Sequence, residues 1–167
     1  MLKDFLCDAK IRSLQSDGYN VYMYLDGELM DVEHLCCLAH ARAKFKYAYD
    51  QGCEAARFFL EQIGLLYKRE EQYRTDGDTA SDIKLKRNDA YTKGIVPSMK
   101  CRMLEMIAQG ETEVTDLMWR ALKYLQTFWK NLFAYRNNGD YTIDNLVAER
   151  AIRPITVQRK PASSIVA

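Results

Sequence analysis

The sequence predicts an α/β fold that is mostly α by residue count: two short strands, a helical block of roughly a hundred residues, and a closing helix. Three observations carry this. Ile11–Ser16 alternates apolar and polar side chains, and His34–Ala39 is a compact apolar run, the two patterns of half-buried and buried strands. From Ala41 onward the apolar period changes to that of a helix. The 167 residues are 48% hydrophobic with only 8 Gly and 3 Pro, which argues for an ordered, helix-rich chain.

In order along the chain, Ile11–Ser16 reads as the first strand, with Asp17-Gly18 where the strand stops and the backbone turns. Tyr19–Leu25 suits a short helix ended by the turn pair Asp26-Gly27, and His34–Ala39 reads as a buried strand. Phe45, Ala48 and Tyr49 fall at i, i+3 and i+4. Phe58, Phe59, Gln62, Ile63, Leu66 and Tyr67 mark a longer amphipathic helix, broken by Thr75-Asp76-Gly77-Asp78. Further helices are expected over about 80–93, 97–109 and 113–136, with Pro97 at an early helical position and Gly110 just past a C-terminus. Asn137-Asn138-Gly139-Asp140 is a turn. Asp144 stands as the cap of a last helical stretch that Pro154 stops.

Five cysteines, an odd number that includes the adjacent Cys36-Cys37, fit reduced thiols better than a disulfide framework. The N-terminus shows no basic region followed by an apolar core, and no apolar run reaches membrane-spanning length. The reading is a cytoplasmic protein without a membrane partner. Net charge is +1, which argues weakly against strong nucleic-acid binding. Its distribution is uneven: residues 1–40 hold 3 basic and 7 acidic side chains, residues 41–140 hold 17 and 14, and residues 141–167 hold 4 and 2.

Two acidic motifs more than a hundred residues apart are the most informative feature. They are Leu14-Gln15-Ser16-Asp17-Gly18-Tyr19 and Asp144-Asn145-Leu146-Val147-Ala148-Glu149-Arg150-Ala151-Ile152-Arg153-Pro154. Carboxylates on separate elements, Asp17 and Glu149, suit a divalent-metal phosphodiester site, because Mg²⁺ takes a few carboxylate oxygens and keeps positions for water and phosphate. Between them stand Cys37-Leu38-Ala39-His40-Ala41-Arg42-Ala43-Lys44-Phe45 and Ala121-Leu122-Lys123-Tyr124-Leu125 with Trp129. These four segments, in this order, resemble the transposase of the insertion-sequence 66 family, a group of bacterial DDE transposases. The resemblance covers roughly residues 1 to 160.

What the resemblance implies is a truncated RNase H-like core of few strands with a large all-helical insertion. Residues 1–40 would form a partial core with the second catalytic Asp, 41–140 the insertion, 141–160 the closing-Glu helix, and 161–167 a divergent tail. Asp17 matches the second catalytic Asp and Glu149 the closing Glu, both as ligands of Mg²⁺ or Mn²⁺ in DNA strand cleavage and transfer at insertion-sequence ends. The partner implied is double-stranded DNA, with self-association or a full-length transposase as a further one. Arg42, Lys44, Arg150 and Arg153 are candidates to grip phosphates, and Asp144, Asn145, Cys37 and His40 would support the site. Only 16 residues precede Asp17, too few for the opening strand with the first Asp, two more strands and a helix. Both ends therefore read as cut, and the expectation is a fragment inactive as it stands. The family's Asp-Asn-Asn is here Asp144-Asn145-Leu146, and Ala43 stands where many members carry a second Arg.

Plainer readings stand beside these. Cys37-x-x-His40 could be half of a zinc site, but no second Cys/His pair completes four ligands, and packing of a small buried thiol is favoured. Trp119, Tyr124, Phe128, Trp129, Phe133 and Tyr135 could stack on bases, though at helical spacing core is favoured. The alternative for the whole chain is a non-catalytic helical relic that binds DNA or a full-length transposase.

Overall fold

Strand β1 (Ser13–Ser16) runs parallel to β2 (Glu33–Cys36), with Ser13 opposite Glu33 and Ser16 opposite Cys36. This computed structural model describes residues 13–16, 32–146 and 150, and of 90–92 the backbone alone. Leu35 and Cys36 are buried in the main core, while β1 is half-buried until Ser16. The strand expected over His34–Ala39 stops at Cys36. Cys37 is extended (φ −69°, ψ 117°) and helix α1 (Leu38–Asp50) starts at once. A run buried on all sides does not reveal where strand yields to helix. The stripe that decides is Leu38, Ala41, Phe45 and Ala48, all buried.

Helix α2 (Ala56–Asp76) buries Ala56, Phe59, Ile63, Leu66 and Tyr73. Phe59 stacks on Phe45 of α1 with ring centroids 4.5 Å apart. The helix ends at Gly77, whose φ of 71° is a left-handed conformation that glycine enters without a Cβ penalty. Helix α3 (Ala80–Arg87) begins in a capping box: the Thr79 hydroxyl accepts from the Asp82 amide, and the Asp82 carboxylate accepts from the Thr79 amide. Where two helices are expected over 80–93 and 97–109, α3 stops at Arg87 and helix α4 (Ala90–Gln109) runs through Pro97. Proline inside a helix removes a donor and costs about 3 kcal/mol. Its exposed face carries Pro97, while Ile95, Val96, Met99, Met103 and Met106 are buried on the other side, and that burial offsets the lost bond.

The single helix expected over 113–136 is broken into a turn of 3₁₀ helix at Glu111–Glu113, helix α5 (Asp116–Thr127) capped by Thr115, helix α6 (Trp129–Phe133), and a second 3₁₀ turn at Ala134–Asn137. The interruption at Phe128 turns Leu132 and Phe133 inward, and α6 packs against β2, where the Asn131 amide donates to the His34 carbonyl at 3.0 Å. Contacts of α1 with α2, α2 with α4, α4 with α5 and α5 with α1 close a ring of four helices around one core. The described residues are thus mostly helical, with a small parallel sheet at one side.

Arg87, at the end of α3, ties the chain after the bundle back onto it. Its guanidinium donates to the carbonyls of Tyr135, Asn138 and Tyr141 at 2.7, 2.6 and 2.8 Å. Arg136 and Asn88 answer in kind: Arg136 donates to the Arg87 carbonyl, and each of the two side chains bonds the other residue. Gly139 lies so close to the Ala80 backbone that a Cβ there would sit inside the Ala80 carbonyl. This fixes the path of residues 135–141, which deliver the next segment to the sheet.

Candidate functional site

That segment joins the sheet beside the strand that leads to Asp17. The Cys37 amide donates to the Ser16 carbonyl at 2.9 Å, and the next amide, Leu38, donates to the Ile143 carbonyl at 3.2 Å. Gln15 and Thr142 close the contact with a reciprocal pair. The Gln15 amide donates to the Thr142 carbonyl at 3.1 Å, and the Thr142 hydroxyl donates to the Gln15 side-chain oxygen at 2.9 Å. Residues 127 apart in sequence are thereby neighbours. Ser16, the last residue of β1, is buried with its hydroxyl 2.7 Å from His34 Nε2.

Past Ile143, the Asp144 carboxylate accepts from the Leu146 amide at 3.1 Å, a local bond that satisfies that donor. Asp144 also lies beside Tyr67 of α2. Burial pushes the Tyr67 phenol well above its ordinary pKa, and the Asp144 carboxylate adds to the shift while Arg42 opposes it. The Cys37 thiol, fully buried, is raised by the same desolvation, against the N–H groups of Asn145, His40 and Ala39 that favour its anion. With no exposed surface, Cys37 packs as a small apolar side chain in the core. Tyr67 is a residue that sequence reasoning missed. On an amphipathic helix its spacing marks a core position, and nothing local points to Asp144.

The sequence-predicted site residues fall into three sets. Asp17, Glu149 and Arg153 lie outside the described residues, as does the helix expected over Tyr19–Leu25. Asp144, Asn145, Cys37 and His40 come together at the start of α1, with His40 half-buried and its amide 3.3 Å from the Cys37 carbonyl. Arg42 and Lys44 are exposed on α1, and Arg150 is exposed as well. The Lys44 ammonium lies over the Tyr124 ring of α5, 4.8 Å from its centre. Of the aromatic set expected in the core, Phe128, Phe133 and Tyr135 are buried, whereas Trp119, Tyr124 and Trp129 are half-buried.

No three His, Cys, Asp or Glu side chains among the described residues converge closely enough to hold a metal ion. Cys37 and His40 therefore have no third ligand there, and these residues do not by themselves fit Mg²⁺ or Zn²⁺. No helix among the described residues is long and apolar enough to cross a membrane.

Among curated proteins, the chain is 26% identical over 153 residues to uncharacterized protein y4jD of Sinorhizobium fredii, covering 88% of this chain and 29% of that protein. It is 25% identical over 155 residues to uncharacterized protein y4qI of the same organism, covering 88% and 28%. The chain thus spans under a third of the length of these relatives. No solved structure matches it. The model of the family described as Transposase IS66 family matches residues 2–165. That match takes in nearly the whole chain, both acidic motifs included, and the chain belongs to the IS66 transposase family.

Proposed function

We propose that this chain carries part of the catalytic centre of a DNA transposase, contributing Asp17 and Glu149 to a metal-dependent site that cuts and joins DNA at insertion-sequence ends. One observation carries the reading. Consecutive amides of Cys37 and Leu38 hold the carbonyls of Ser16 and Ile143, so the residue before Asp17 and the segment leading to Glu149 are fastened side by side. Family membership supplies the reaction class. The sheet next to the helix bundle supports an RNase H-like core with a helical insertion.

In this reading Asp17 and Glu149 hold the ion, and a Mg²⁺ or Mn²⁺ bound there would activate water or a 3′-hydroxyl and stabilise the leaving oxygen of the phosphodiester. The rest is the chain's own work. Asp144 satisfies the amide of Leu146, three residues before Glu149. The Gln15–Thr142 pair keeps this segment against β1. Arg150 and Arg153 would meet phosphates as point or forked charges. The resemblance assigns two of the family's three acidic ligands to residues of this sequence, so strand transfer by residues 1–167 alone is expected to be undetectable.

Mn²⁺ binding followed by electron paramagnetic resonance tests the shared site directly. Asp17→Asn and Glu149→Gln should each weaken binding, and the double variant by an amount that differs from the sum of the two, since both remove ligands of one ion. Undiminished Mn²⁺ binding in either single variant, with the fold intact, sinks the reading.

A further inference from the structure

We infer that the side of the helix bundle centred on α5 docks the sugar–phosphate backbone of double-stranded DNA, through lysines laid over aromatic rings. The inference rests on the transposase reading for its partner and adds a surface to it.

In the ring of four helices, α5 lies between α1 and α4. Three half-buried rings come from α5 and the start of α6: Trp119, Tyr124 and Trp129. Each carries an ammonium on its face. Lys123 lies over Trp119 at 5.7 Å, Lys44 of α1 over Tyr124 at 4.8 Å, and Lys100 of α4 over Trp129 at 5.9 Å. Three helices thus contribute one lysine each to a strip across the same side. These contacts restrain long side chains that otherwise lose rotamer freedom on binding.

Charge on α5 and the segment after it is one-signed beyond Asp116. Leu117 to Gly139 contains no acidic residue. Asp116, just before it, is neutralised by Arg120, 2.9 Å away. Lys44, Lys100, Lys123 and Lys130 are exposed and have no acidic partner among the described residues. Two other lysines of the bundle are paired, Lys46 with Asp50 and Lys86 with Asp78.

A row of unpaired point charges suits a polyphosphate track, where affinity comes from counterion release and ignores sequence. The exposed apolar side chains nearest these lysines, Tyr47 on α1 and Leu104 on α4, stand singly and form no continuous apolar face of the kind an anionic membrane surface calls for.

The test is the salt dependence of binding to a labelled duplex of arbitrary sequence, read by fluorescence anisotropy. Replacing Lys44, Lys100 and Lys123 together by Gln should lower the log–log slope by about 2–3, near 0.9 for each phosphate no longer neutralised. A control triple drawn from α2 and α3, Lys68→Gln with Arg74→Gln and Lys84→Gln, should leave the slope unchanged. Unaltered melting of both variants shows that the fold is kept. An equal fall in both triples, or none in the first, overturns the docking surface while DNA binding itself stands. A wild-type chain with no salt-dependent DNA binding overturns the surface, and loss of Mn²⁺ binding in Asp17→Asn then decides separately whether the catalytic reading survives. Binding to phosphatidylserine vesicles that the first triple abolishes, with DNA binding untouched, also counts against it.

Discussion

The guanidinium of Arg87 meets the carboxylate of Glu70 through two parallel hydrogen bonds, Nε to Oε1 at 2.9 Å and Nη2 to Oε2 at 2.7 Å. With the three carbonyls of Tyr135, Asn138 and Tyr141, all five guanidinium donors are used. Arg87 is 3% exposed and Glu70 11%, so the pair is desolvated. Removing one partner of such a pair leaves an uncompensated charge and costs about 3–5 kcal/mol. Arg87→Met should lose stability of that order in urea unfolding. Arg87→Lys should recover little of it, because one ammonium cannot reach acceptors on both sides of the fork.

Gly139 and Gly94 make an opposed pair. A Cβ at Gly139 meets the Ala80 carbonyl, which is backbone and cannot swing away. Gly139→Ala should therefore cost about 1–3 kcal/mol, the range for forced overpacking. At Gly94, inside α4, a Cβ meets nothing within 4 Å. Gly94→Ala should stabilise by about 0.5–1 kcal/mol, since glycine loses more backbone freedom in a helix. Thermal melts of the two variants should move in opposite directions.

Much of the helical layout is legible in the sequence because its signals are local. The Thr79 start, the Gly77 stop and the Gly110 stop each act within one turn of the residue that causes them. The passage of α4 through Pro97 and the break at Phe128 are not local. They follow from which side chains the bundle buries, and that depends on the other helices. Arg87 illustrates the same limit: within Lys84–Asn88 it reads as one more solvated charge, yet its guanidinium makes five hydrogen bonds inside the fold. At the candidate site, Asp17 and Glu149 stand out only through their motifs. The joint between Gln15 and Thr142 spans 127 residues and leaves no pattern in either segment.

Alkaline pH should loosen the fold. Burial raises the pKa of the Tyr135 phenol, with Glu70 adding and Arg87 opposing, and raises those of Tyr67 and Cys37 as well. Each group therefore holds its proton more tightly folded than unfolded. Its contribution to stability is full below the ordinary thiol and phenol values, about 8.5 and about 10, and is lost as pH climbs above them toward the folded-state values. The urea midpoint should fall on going from neutral pH to above about 10. Tyr135→Phe should flatten that fall, and an unchanged alkaline limb in this variant would refute the assignment.

Thr142→Val probes the joint at the candidate site with an almost isosteric change. It removes the hydroxyl that donates to Gln15 and keeps the backbone carbonyl that accepts from it. Both side chains are partly open to water, so the net loss should be about 0.5–1.5 kcal/mol. Because Ile143 follows directly, the loss should appear in its bond to the Leu38 amide rather than in the bond from Cys37 to Ser16. Amide hydrogen exchange resolves the two. Leu38 should lose protection by roughly 2- to 13-fold, that energy converted to an opening constant, while Cys37 keeps its own. Equal loss at both amides would mean that the sheet end opens as one unit with the segment leading to Glu149. No change at either would mean that burial of Ile143 alone holds the segment in place.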